Sequence, residues 1–129
     1  MSEKLYWVTP PELYNELNSR FLFDFDPCPN PRPPGFDGLA VAWGERNYVN
    51  PPFTGGVMKW VRKAIKERDE NNKLTALILP SYQSKAANVL HYAGAEVEFI
   101  GCPRWLDLKT LEPNPCPQRE LHPCLLFVL

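Results

Sequence analysis

The chain has 129 residues, 44% of them hydrophobic and 12% aromatic, and a net charge of −1. That length suits one domain spanning residues 1–129 around a single core, and the near-zero charge excludes a chain-wide pull toward nucleic acid or membrane, so any such affinity must come from a local patch. No apolar stretch approaches the roughly 20 residues of a membrane span, and Met1-Ser2-Glu3-Lys4 has no signal-peptide character, so no membrane partner and a cytoplasmic location are expected.

Thr9-Pro10-Pro11-Glu12 predicts a helix start, with Thr9 as cap, Pro10 at the first helical position and Glu12 completing a capping box. Leu13, Tyr14, Leu17 and Phe21 follow at helical spacing. The β-prone run from Phe21 to Asp26 predicts a strand stopped by Pro27, and the prolines at 27, 29, 31, 33 and 34 make residues 27–38 a loop. A short strand is expected from Arg46 to Asn50, followed by the small-residue turn Thr54-Gly55-Gly56. Val57, Trp60, Val61, Ala64 and Ile65 then mark one face of a helix, with Lys59, Arg62, Lys63 and Lys66 on the other, ending near Asp69–Asn72. Leu74 to Leu79 is an apolar run with the character of a buried central strand. A helix over Gln83–Ala93 closing at Gly94, a strand around Val97 and Phe99, an irregular proline-rich segment over 101–123 and a last strand over Leu125–Leu129 complete the chain. Alternating strands and helices in the second half predict an α/β fold with parallel pairing.

The cysteines are Cys28, Cys102, Cys116 and Cys124. In a cytosolic chain the default is free, mostly buried thiols. Cys116, His122 and Cys124 lie close in sequence, but no CxxC pair exists and no metal is expected.

The chemically distinctive stretch is Asn50-Pro51-Pro52-Phe53, at the exit of the expected strand. Asn50 offers a carbonyl oxygen that accepts a hydrogen bond from an amine. The prolines hold the backbone stiff and extended, so their carbonyls point in fixed directions, and Phe53 adds a flat apolar face. Such a site suits a planar ring bearing an exocyclic amine; the same residues also serve simply to end a strand and open a loop. Asp26-Pro27-Cys28 closes the other expected strand, and in open α/β sheets ligands bind at the carboxyl ends of strands.

Taken in order, Trp7-Val8-Thr9-Pro10, Phe23-Asp24-Phe25-Asp26-Pro27-Cys28 and Asn50-Pro51-Pro52-Phe53 resemble the small bacteriophage-type DNA N6-adenine methyltransferases. Asp37-Gly38-Leu39 with Trp43, Trp60-Val61-Arg62-Lys63-Ala64 and Leu77-Ile78-Leu79-Pro80 add to the likeness, which covers roughly residues 5–105. The resemblance implies a minimal Rossmann-like methyltransferase sheet with flanking helices, S-adenosylmethionine as methyl donor and adenine N6 in DNA as acceptor. It also implies residence in the cytoplasm of an infected or lysogenic bacterial host. By the same resemblance Asn50, Pro51, Pro52 and Phe53 are catalytic, Phe53 also stacking on the base. Thr9, Pro10, Asp26, Pro27 and Cys28 line the donor pocket, and Asp37 is the candidate for the ribose hydroxyls. Larger relatives carry a glycine-rich turn after Asp-Pro-Cys, where this chain has Pro29-Asn30-Pro31.

Lys59 and Arg62 are candidates for phosphate contact, and Arg104, Trp105 and Arg119 for base or backbone contact, although a solvated helix face and a plain surface loop fit the same residues. A homodimer would cover the crevice of so small a domain. Asn-Pro-Pro-aromatic chemistry also serves RNA adenine and protein glutamine, whereas an N4-cytosine enzyme more often has Ser in place of Asn50. A non-catalytic relic that binds nucleic acid or donor is the alternative of a different class.

Overall fold

A computed structural model describes residues 7–53, 55–115 and 121–129. Its elements are β1 (Trp7–Val8), α1 (Pro11–Phe21), β2 (Arg46–Val49), α2 (Val57–Asn71), β3 (Leu74–Pro80), α3 (Ser84–Tyr92), β4 (Glu96–Gly101), β5 (Leu106–Asp107) and β6 (Cys124–Val128). The fold is mixed α/β, with a small open sheet flanked by helices.

The main sheet has the order β2-β3-β6-β4. β2 and β3 are parallel, paired from Arg46↔Leu74 to Val49↔Leu77. β6 lies antiparallel to both β3 and β4, so β4 runs in the direction of β2 and β3. The expectation of parallel pairing therefore holds for strand direction but not for adjacency after β3. The C-terminal strand, apolar on both faces, takes the buried position between β3 and β4. A small antiparallel ribbon, β1 with β5, draws the segment before α1 against residues 106–107.

Side-chain alternation divides the core in two. Ala76 and Ile78 of β3, Tyr48 of β2 and Leu126 of β6 pack with Leu17 of α1. Leu77 and Leu79, Val49 and Phe127 pack on the opposite face with Val57, Val61 and Ala64 of α2 and Ala86 and Leu90 of α3. Both faces of the central strands are covered, which is why β3 reads as a continuous apolar run.

Two local expectations are corrected. Thr9 does not cap α1: Pro10 occupies the cap, Pro11 starts the helix, and among the described residues no side-chain capping hydrogen bond is made. Thr9 Oγ1 instead shares a hydrogen bond with the Tyr48 hydroxyl. The run from Phe21 to Asp26 is not a full strand, because α1 claims Phe21 and ends at Leu22 in the left-handed conformation (φ 54°). What remains is a parallel bridge, Phe25↔Asn47, with the Asp24 N–H donating to the Arg46 carbonyl and the Tyr48 N–H to the Phe25 carbonyl. Phe25-Asp26 thus lies along β2 as a rudimentary edge.

The proline-rich loop is held by contacts rather than by ladder bonds. Trp43 is buried, its Nε1–H donates to the Gly38 carbonyl at 2.7 Å, and its ring stacks on Trp60. Glu67 of α2, only 3% exposed, accepts from Lys63 Nζ at 2.7 Å, Asn71 Nδ2 at 3.2 Å and the Trp43 N–H at 3.4 Å. Burial pushes its carboxyl up, but these donors outweigh burial and hold it below the usual range. Among the described residues no helix is long and apolar enough to cross a membrane.

Candidate functional site

Because β2, β3 and β4 share one direction, Asp26, Asn50, Ser81 and Cys102 emerge at one edge of the sheet. This is the edge where an open α/β sheet binds ligands. Two clefts open on it.

The first cleft, about 270 Å³, is lined by residues that include Thr9, Tyr14, Asp26, Cys28, Tyr48 and Asn50. Asp26 receives a hydrogen bond from the Cys28 N–H at 2.9 Å. Burial nevertheless dominates and raises its carboxyl to about 6, with that hydrogen bond pulling the other way. Burial also raises the Tyr14 hydroxyl, and the Asp26 charge adds to the effect. Tyr48 is driven up mainly by its burial, against which the Thr9 bond acts. Asp26 is thus a half-buried anion at neutral pH in a cleft also lined by hydroxyl and amide groups, and a cation with hydrogen-bonding neighbours would complete it. Cys28 is not a candidate nucleophile, since burial, then the Asp26 charge, push its thiol up to about 12.

The second cleft, about 170 Å³, is lined by residues that include Phe53, Pro80, Tyr82, Trp105, Asn114 and His122. Two aromatic pairs bound it. Phe53 meets Trp105 edge to face at 5.6 Å, and Tyr82 meets His122 at 4.8 Å. Cys124 also lines this cleft; burial raises its thiol to about 12, a hydrogen bond with Trp105 acting the other way. Trp105 is 7% exposed, so it supports the Phe53 ring more than it offers a face of its own.

The Asn50–Phe53 segment joins the two clefts. Asn50, 5% exposed, lines the first; Pro51 is buried behind it; and Phe53 lines the second. Gly55 and Gly56, at φ 70° and 134°, then turn the chain into α2 with a geometry that disfavours other residues. Thr54 lies outside the described residues, as do Cys116 and Arg119. Among the described residues no group of three or more His, Cys, Asp or Glu side chains is placed to hold a metal ion.

The remaining candidates stand apart. Pro10 and Pro27 flank the first cleft in sequence without lining it. Asp37 is exposed, lies away from that lining, and accepts from the Leu39 N–H in a local turn. Arg104 donates to the Asn114 carbonyl, and Lys59 and Arg62 are exposed on α2. Tyr48, Tyr14 and Tyr82 were not singled out from the sequence. Tyr48 had a usable signal, since it lies two residues before Asn50 and so shares its side of the strand. Tyr82 follows the end of β3, where strand-end logic also points.

Comparison of the chain with protein families, with curated proteins and with solved structures found no match.

Proposed function

We propose that the chain transfers a methyl group from S-adenosylmethionine to the N6 amine of adenine in DNA. The observation that carries this reading is the Asn50-Pro51-Pro52-Phe53 segment passing from a cleft that holds a half-buried carboxylate to a cleft lined by aromatic rings.

The first cleft fits the donor by the chemistry of its side chains. Asp26 would hold the methionyl ammonium, and Thr9, Tyr14 and Asn15 offer hydroxyl and amide groups to the polar parts. When bound, the donor would supply a sulfonium-borne methyl group whose carbon an amine lone pair attacks, the C–S electron pair leaving with sulfur. The adenine amine is a poor nucleophile because its lone pair is delocalised into the ring. Asn50 Oδ1 and the Pro51 carbonyl, accepting its two hydrogens, would draw the nitrogen toward tetrahedral geometry and localise that lone pair. The nitrogen's surplus proton then leaves to solvent, so positioning and fixed dipoles carry the rate without a strong base. Phe53 would stack on the ring, worth about 1–3 kcal/mol per base. In a duplex the base must first be flipped out, with exposed Lys59 and Arg62 available to the phosphates.

The test incubates the protein with methyl-labelled donor and unmethylated DNA, then digests and identifies the labelled nucleoside. Label in N6-methyladenine that disappears with Asn50→Ala supports the proposal. Label in N4-methylcytosine overturns it, and label in RNA adenine or in protein glutamine reassigns the acceptor. Absence of label on any of these, with donor binding retained, makes the chain a non-catalytic binder. The Pro29-Asn30-Pro31 turn, where larger relatives have glycines, motivates that second reading.

A further inference from the structure

The aromatic cleft has two walls on different parts of the chain. Phe53 follows β2 and rests on Trp105. Tyr82 lies in the β3–α3 turn, rests on His122 and is 51% exposed. Neither core cluster includes Tyr82, so the core does not account for its large ring at this rim.

The next residue, Gln83, connects the walls. Its Nε2 donates to the Phe53 carbonyl at 2.5 Å. Gln83 itself is well anchored: its N–H donates to the Pro80 carbonyl at 3.1 Å, and its carbonyl accepts from the Ala87 N–H at 3.0 Å in the first turn of α3. The Ser81 N–H donates to the Pro123 carbonyl at 2.8 Å, fixing the same turn to the segment that leads from His122 into β6. Phe53, by contrast, lies two residues before a glycine pair with positive φ, the residue type with the least restricted backbone. A turn anchored by backbone hydrogen bonds therefore holds the Phe53 carbonyl through a side-chain amide.

We propose that Gln83 is a positioning residue which, by holding the Phe53 carbonyl from the turn that carries Tyr82, sets the spacing of the two aromatic walls and so admits a single planar acceptor ring. This rests on reading the second cleft as the acceptor site. Gln83 needs no contact with the acceptor, because it acts through Phe53.

Two measurements test it, one independent of any activity. Hydrogen exchange on the free protein compares wild type with Gln83→Ala and with Gln83→Glu, which keeps the shape but, when ionised, has no proton to donate. Both variants are expected to speed exchange of the amides from Gly55 to Lys59 about tenfold, the size of one lost hydrogen bond; unchanged exchange overturns the proposal. Binding of a single-stranded oligonucleotide with 2-aminopurine in place of adenine is read by its fluorescence quench. Both variants are expected to weaken it about tenfold while donor affinity, measured by calorimetry, stays within twofold. Tyr82→Ala in the Gln83→Ala background should add less than twofold, since with one wall gone there is no spacing left to set. Full additivity, a matching loss of donor affinity, or a wild-type protein that does not quench the probe overturns the proposal. Failure of methyl transfer alone is distinct: wild type then leaves nucleic acid unlabelled while the exchange and quench responses persist.

Discussion

Asp26 is held in two opposing ways. Burial raises its carboxyl to about 6, while the Cys28 N–H favours the charged form. The folded-state value lies above that of the unfolded chain, near 4. Between about pH 4 and 6 the folded protein therefore keeps a proton that the unfolded chain has lost, and stability falls as pH rises through that window. Asp26→Asn should remove this slope, which denaturant midpoints at pH 4.5 and 7 would show. An ammonium group favours the carboxylate, so donor binding should release a proton. Affinity at pH 5, about one unit below the folded value, should be about tenfold weaker than at pH 7. Calorimetry in two buffers reads both effects, and a flat profile would remove Asp26 from the donor site. Gly38 is a second residue whose part only packing reveals. A Cβ there would lie 1.7 Å from the Pro27 carbonyl oxygen, and backbone cannot yield as a side chain tip can. Gly38→Ala should cost about 1–3 kcal/mol, read as a lowered urea midpoint, and should disturb donor binding because Pro27 lies between Asp26 and Cys28.

Among the elements, α1 ends on an exposed leucine in the left-handed conformation. Leu22 has φ 54° and ψ 61° and is 67% exposed, so its side chain returns little packing for a backbone cost of about 1–2 kcal/mol. Leu22→Gly should raise stability by about 0.5–1 kcal/mol, measured as an increased unfolding midpoint; a decrease would mean that the side chain packs in solution. On α2, the buried stripe of Val57, Val61 and Ala64 leaves Lys59 and Arg62 exposed. If these contact DNA phosphates, each change to Ala should lower the slope of log affinity against log salt by about 0.9. An unchanged slope would place α2 outside the interface. The helices were legible because their apolar residues recur at the helical period over several turns. The strand expected before Pro27 was not, because Phe21 and Phe23 also suit the α1 face. The sheet leaves only Phe25 to bridge, and helix and edge compete for one short apolar run.

For the molecule as a whole, the decisive placement is that of β6. Phe127, 1% exposed, sits opposite Leu77 of β3 and Val97 of β4 and packs with the α2–α3 cluster. Phe127→Ala should cost about 3–5 kcal/mol, visible in chemical denaturation as a large loss of midpoint; a loss under 1 kcal/mol would show that the strand is dispensable. The chemistry available at each strand end is legible from residue order, because an Asn-Pro-Pro-Phe run has stiff backbone and fixed acceptors wherever it lies. The helix periods and the apolar run of the central strand are legible in the same way, being properties of neighbouring residues. The tertiary structure alone decided which ends meet. Asp26 and Asn50 share a cleft because Phe25 bridges to Asn47, and Phe53 and Tyr82 line another because β2 and β3 are parallel neighbours. β6 enters between β3 and β4 because burial on both faces rewards the most apolar strand, wherever in the chain it falls. Pairing between distant segments depends on burying surface in common, and no local pattern records its partner.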